Sequence, residues 1–201
     1  RVRVMEQLAE MGSDDALSGL LQRFTYRTEQ SIVDEDEKET AYRMLVEAGM
    51  YAQPAIERFI KKNDAVYWPL RALKEIVGLD ETVDVLMRTL EGASSPEDRV
   101  NEHRTQLVSN LRDFPHARVE AKLTELSDDH DEEVRIMAVD GLLTYGPDSA
   151  LPAAARRLLD PEESARVKSV ILETLVEKNW SLGPWRKQLD EADLLPRPYR
   201  I

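Results

Sequence analysis

The chain has 201 residues, 42% of them hydrophobic and 33% charged, enough to bury a sizeable core beneath a highly charged surface. Its 39 acidic against 27 basic residues give a formal net charge of -12. That balance argues against nonspecific nucleic-acid binding, which depends on neutralising phosphates with a basic surface. The absence of cysteine excludes disulfides, thiolate metal sites and cysteine nucleophiles, and it fits a cytoplasmic location.

From the first residues onward the apolar positions recur at helical spacing. Val2, Val4, Met5, Leu8, Ala9 and Met11 outline a first helix, ended by Gly12. Its start lies inside a helical pattern and carries Arg1 rather than Met, as expected of a fragment or a processed piece. Ser13 and Asp14 can cap a second helix whose Leu17, Leu20, Leu21 and Phe24 share a face. Residues 25–33 read as a longer connection with Arg27 and Glu29 solvated. The acidic run Asp34–Glu39 reads as a helix start, because the macrodipole favours negative charge in a first turn. It leads into Ala41, Tyr42, Leu45 and Val46 and ends at Gly49.

Ala55, Ile56, Phe59 and Ile60 make the partner of that helix, which ends at Lys61, Lys62 and Asn63. A further pair runs through Leu70 and Leu73 to Gly78, then through Val83, Leu86 and Leu90 to Gly92. Ser94–Asp98 looks like a cap followed by Pro and acids, opening a helix through Val100, Leu107, Val108 and Leu111. Phe114-Pro115 breaks it, and Val119, Leu123 and Leu126 form a shorter partner.

The most explicit unit is residues 131–160. Val134, Met137, Ala138, Leu142 and Tyr145 form one stripe, and Ile136, Val139 and Leu143 a second, so this helix should be covered on more than one side. Gly146-Pro147 ends it, with Asp148 as a plausible cap of a helix carrying Leu151, Ala154, Ala155 and Leu158. Pro161 is placed in the first turn of the next helix, through Val167, Ile171 and Leu175 to Asn179. A short piece through Trp185 and Leu189 follows, then an irregular tail over residues 191–201.

First-helix ends at Gly12, Gly49, Gly78, Phe114, Gly146 and Asn179 fall 37, 29, 36, 32 and 33 residues apart. A helix–turn–helix unit with a period in the thirties predicts an all-α chain. The expected architecture is a right-handed α-solenoid of about six antiparallel helix pairs, one repeat domain over residues 1–190. A single pair is too poor in apolar contact to persist alone, so each must pack on its neighbours.

Signals for catalysis are sparse. The three histidines, His103, His116 and His130, lack the paired His and Glu spacing of a metal site and read as surface or capping residues. No H-E-x-x-H, phosphate-binding Gly-rich loop or nucleophile elbow occurs. Asp140 and Glu173, each inside a first helix, are read as outward-pointing rather than as general bases. Trp68, Trp180 and Trp185 are read as packing residues. The expectation is a non-enzyme without cofactor or metal.

The D-x-x-V-R-x-x-A-x-x-x-L pattern is carried by Asp131, Val134, Arg135, Ala138 and Leu142, followed by Gly146 and a second helix. It resembles the HEAT repeat, particularly the bacterial HEAT-like type, with weaker echoes at Val2-Arg3 and Arg166-Val167. Tetratricopeptide repeats would need a more uniform period and a Trp, Gly and Tyr spacing that is missing.

The resemblance implies a non-enzymatic protein–protein interaction scaffold that holds a protein or peptide along the face of the second helices. Neither nucleic acid nor membrane is an expected partner. The alternatives it leaves are a HEAT-like DNA glycosylase-type domain and a structural segment of a larger chain. On the second helices the candidate anchors are Tyr51, Arg58, Lys61, Lys62, Arg88, Arg156 and Arg157. With Arg23, Arg118, Lys122, Arg186 and Lys187 they would make a locally basic strip, interrupted by Asp84, Glu120 and Glu125. Charge reversal at Arg156 and Arg157 is expected to weaken partner capture without lowering the melting temperature.

Overall fold

The structure is a computed structural model that describes residues 1–93, 102–195 and 199. The expected cap at Ser94–Asp98 and the apolar Val100 lie outside these residues. Among the described residues all regular structure is helical, in twelve α-helices and three short 3-10 turns. None of these helices is long and apolar enough to cross a membrane. The chain divides into two compact units, residues 1–110 and 111–201.

The first unit holds α1 (Val2–Met11), α2 (Asp14–Leu21), α3 (Ser31–Ala48), α4 (Gln53–Ile60), α5 (Tyr67–Val77) and α6 (Leu79–Gly92). It also takes in most of α7 (Glu102–Leu111). Helix α1 packs on α2 and α3, and α3 on α5, while α2 packs on α4 and α5 on both α4 and α6. First helices therefore lie on first helices, and α2 lies on α4. The core consists of fully buried aliphatic side chains, among them Leu17, Leu21, Leu45, Ile56, Leu73 and Leu86. Covering one apolar stripe of each helix in this way supplies the stability that an isolated ten-residue helix lacks.

The second unit holds α8 (Ala117–Leu126), α9 (Glu132–Leu142), α10 (Pro147–Leu159), α11 (Ala165–Lys178) and α12 (Trp185–Glu191). Helix α9 packs on α8, α10 and α11, and α10 on α11 and α12. The two apolar stripes of α9 are thus covered on several sides: Val134, Ala138 and Leu142 are buried on one, and Val139 on the other with Ile136 packed against the same cluster. That cluster joins Leu151, Leu158, Val167, Ile171, Leu175, Leu182, Leu189 and Leu195. It also receives Tyr199, from the stretch read as a tail, whose hydroxyl donates to the Leu175 carbonyl at 2.7 Å.

Local signals explain most helix ends. Gly12, Gly49, Gly78 and Gly146 all have positive φ, and Asn179 takes the left-handed conformation at φ 49. A left-handed residue after the last turn lets its N–H close on a helix carbonyl, as Asn179 does on Leu175 at 3.0 Å. Ser13, Asp131 and Ser164 cap α2, α9 and α11 with side-chain oxygens on backbone N–H groups.

Three boundaries differ from expectation. Helix α3 begins at Ser31, so the long connection shrinks to residues 26–30 and only Asp34 of the acidic run lies in the first turn. Helix α10 begins at Pro147 with Gly146 (φ 100) before it, so Asp148 is a first-turn residue and not the cap. Proline suits that position because the missing N–H would have no partner there. Pro161 sits in a turn ahead of α11, because the Ser164 hydroxyl, accepting from Val167 N at 3.1 Å, starts the helix at Ala165.

Candidate functional site

Whether the basic residues of the second helices form a binding strip depends on what their head groups already hold. Arg23 is withdrawn from it altogether. The residue is 3% exposed, and its Nε donates to Glu37 Oε2 at 2.9 Å and its Nη2 to Asp34 Oδ1 at 2.7 Å. The same guanidinium also donates to the carbonyls of Tyr26 and Asp34, and Lys38 Nζ reaches Asp34 Oδ2 at 2.6 Å. Hydrogen bonds from Lys38 and Arg23 hold the Asp34 carboxyl well below the usual carboxylate range.

The acidic run is therefore partly a buried ion network. The signal was in the spacing: Asp34 and Glu37 continue the buried stripe of Ala41 and Leu45 at i, i+3, i+7 and i+11. A guanidinium so placed matches two carboxylates and two carbonyls at once, which a solvated arginine would not need.

The remaining candidates of the first unit lie at the surface. Tyr51, in the 3-10 turn between α3 and α4, is 82% exposed. Arg58 donates to Asp14 and, at 3.4 Å, to the Ser18 hydroxyl, so it bridges α4 to the start of α2. Arg88 donates to its own helix at Asp84 O, 3.2 Å away, and lies 3.6 Å from Glu81. Lys61 and Lys62 are exposed at the end of α4 and, among the described residues, pair with no carboxylate.

A groove of about 180 Å³ runs between α2 and α4. Leu21, Ala55 and Phe59 make its floor, and Ser18, Gln22, Arg58, Lys62 and Asn63 its rim. Both helices are second members of their pairs, so Arg58 and Lys62 are brought together on one groove, and Lys61 is adjacent in sequence.

In the second unit the cations are mostly spoken for. Arg157 Nη2 lies 3.0 Å from Asp128 and Nη1 3.4 Å from Glu163, with its side chain 15% exposed. Arg156 pairs with Asp128 at 3.0 Å, and the side chains are 46% and 42% exposed. Lys122 pairs with Glu125, and Lys187 with Glu191, while Arg186 donates to the Tyr199 carbonyl at 3.0 Å.

Arg135, the arginine of the D-x-x-V-R pattern, forms a two-pronged pair with Glu163 at 2.9 and 2.6 Å and donates to the carbonyls of Asp129 and His130. Burial would raise the Glu163 carboxyl, but the Arg135 hydrogen bonds, the Ser164 N–H and the two guanidinium charges outweigh it and hold the group low. This cluster clasps the loops ahead of α9 and α11 together; it presents no free head group to a ligand.

The chemistry-bearing residues scatter. His116 caps α8 by accepting from Arg118 N at 3.1 Å, and His130 stands exposed beside Asp129. His103 Nδ1 lies 3.6 Å from Asp64. Asp140 pairs with Arg112 at 2.7 Å, and Glu173 points to solvent. Trp185 packs against the core of the second unit, and Trp68 meets Tyr42 and Tyr67 with ring centroids 5.6 and 5.5 Å apart. No family model matches the chain, and no curated protein matches it.

Proposed function

We propose that the chain is a non-enzymatic, cytoplasmic interaction module of the HEAT-like kind, a solenoid of helix pairs that holds an acidic protein segment on its second helices. Support for the solenoid comes from helices that pack first on first and second on second within each unit. The observation that carries the binding reading is the groove between α2 and α4, where Arg58 and Lys62 flank an apolar floor next to Lys61. Lys62 at the rim of an apolar groove, with Lys61 beside it in sequence and neither ion-paired among the described residues, complements a segment that carries carboxylates beside an apolar side chain. The net charge of -12 does not oppose this, because at physiological salt charges beyond about 8 Å are largely screened and the local cations decide.

Proteins captured from lysate by the chain are identified by mass spectrometry, and their acidic segments are then titrated as synthetic peptides. The K61E/K62E variant should bind such a peptide about tenfold more weakly with an unchanged melting temperature. Equal affinity would remove this face from the account. Salt-sensitive, sub-micromolar binding to duplex DNA would instead favour the glycosylase-type alternative.

A further inference from the structure

Helix α1 is amphipathic, yet Met5 is its one buried residue. Val2, Val4 and Met11 are 41%, 56% and 69% exposed. Val4, Gln7 and Met11 follow at i, i+3 and i+7, so they form a single stripe facing away from α2 and α3, which cover the other side. Along this stripe stand Arg3 and Glu10, seven residues apart and therefore on the same edge of the helix. Both are exposed, and among the described residues neither makes an ion pair.

Arg3 and Glu10, of opposite charge on one edge of the helix, are self-complementary for two copies laid antiparallel. At about 1.5 Å rise per residue, Arg3 and Met11 stand about 6 Å to either side of Gln7, and Val4 and Glu10 about 4.5 Å. A two-fold axis through Gln7 therefore sets Val4 of one copy against Met11 of the other and Arg3 beside Glu10, each within about 1.5 Å of register.

We infer that the chain self-associates through the exposed face of α1, paired antiparallel with α1 of a second copy. The contact extends the packing of α3 on α1 by one more helix and covers the apolar stripe. It places Arg3 and Glu10 in two symmetric ion pairs. A three-turn helix pair is a small interface, so the association is weak and concentration-dependent. It is independent of the groove between α2 and α4.

Sedimentation equilibrium of the 201-residue chain between about 5 and 500 µM tests it, a range set by the weak-interface class. The chain should shift from monomer to dimer across that range. R3E and E10R singly should each weaken the dimer about tenfold, and the R3E/E10R exchange should restore it. V4D/M11D should abolish it while circular dichroism stays unchanged, since all four positions are exposed. A chain monomeric throughout, a dimer surviving V4D/M11D, or an exchange that fails to restore association each overturns the proposal.

Discussion

Gly141 and Gly19 are both helix-interior glycines, and the structure gives them opposite responses to alanine. At either site a methyl group should gain about 1 kcal/mol of helix propensity. A Cβ on Gly19 would meet the Leu8 methyls at 3.6 Å, an ordinary contact, so G19A should stabilise by about 0.5–1 kcal/mol. A Cβ on Gly141 would stand 2.9 Å from Leu123 Cδ1 and 3.0 Å from Cδ2. Leu123 is fully buried where α8 packs on α9, so it has little room to retreat. Overpacking of this kind costs about 1–3 kcal/mol.

The balance makes G141A destabilising by about 1 kcal/mol, or a fall of about 2–4 °C in melting temperature for a chain of this size. Removing the obstacle should reverse the sign. L123A alone should cost about 2–5 kcal/mol, and adding G141A to it should raise stability. Urea unfolding of the parent chain and the four variants, followed by circular dichroism, measures all of these terms. If G141A stabilises the parent chain as G19A does, or has the same sign with and without Leu123, the steric argument is wrong.

Two further outcomes follow from the ion networks. R23M should cost about 3–5 kcal/mol at pH 7, because it leaves Asp34 and Glu37 buried without their guanidinium. In the parent chain the Asp34 carboxyl is held low, so its contribution is full above the unfolded-state value near 3.9 and is lost as pH falls below it; urea midpoints at pH 7, 5, 4 and 3 should drop below pH 4 in the parent and stay level or rise toward pH 4 in R23M. R156E should change stability by less than about 1 kcal/mol, as its pair with Asp128 is half-exposed. R157E should lower it by about 3 kcal/mol, since the reversed charge faces a Glu163 side chain that is 1% exposed; equal melting temperatures for the two would refute the reading of Arg157 as part of the clasp.

The contrast expected within that last pair departs from the sequence-based expectation that reversing both arginines leaves folding untouched. The adjacent Arg156 and Arg157 differ because α10 turns one outward and the other toward the loop that carries Glu163. The same holds at the candidate site. Lys61 and Lys62 at the end of α4 stand in solvent, whereas Arg23, placed with them on the same strip by the sequence, is consumed by the core.

Sequence alone determined the helices, their apolar stripes and most of their ends, because a 3.6-residue period, a capping serine or a left-handed glycine acts over a few neighbouring residues. It also carried the all-helical class, since the apolar positions recur at helical spacing along the chain. What only the tertiary structure decided is which charged groups face inward and which partner each one meets. Arg23 finds Asp34 and Glu37 across 11 and 14 residues, and Arg135 finds Glu163 across 28. Helical period gives a side chain its angle around the axis; the neighbouring helix, brought by the fold, decides whether that angle ends in water or in a carboxylate.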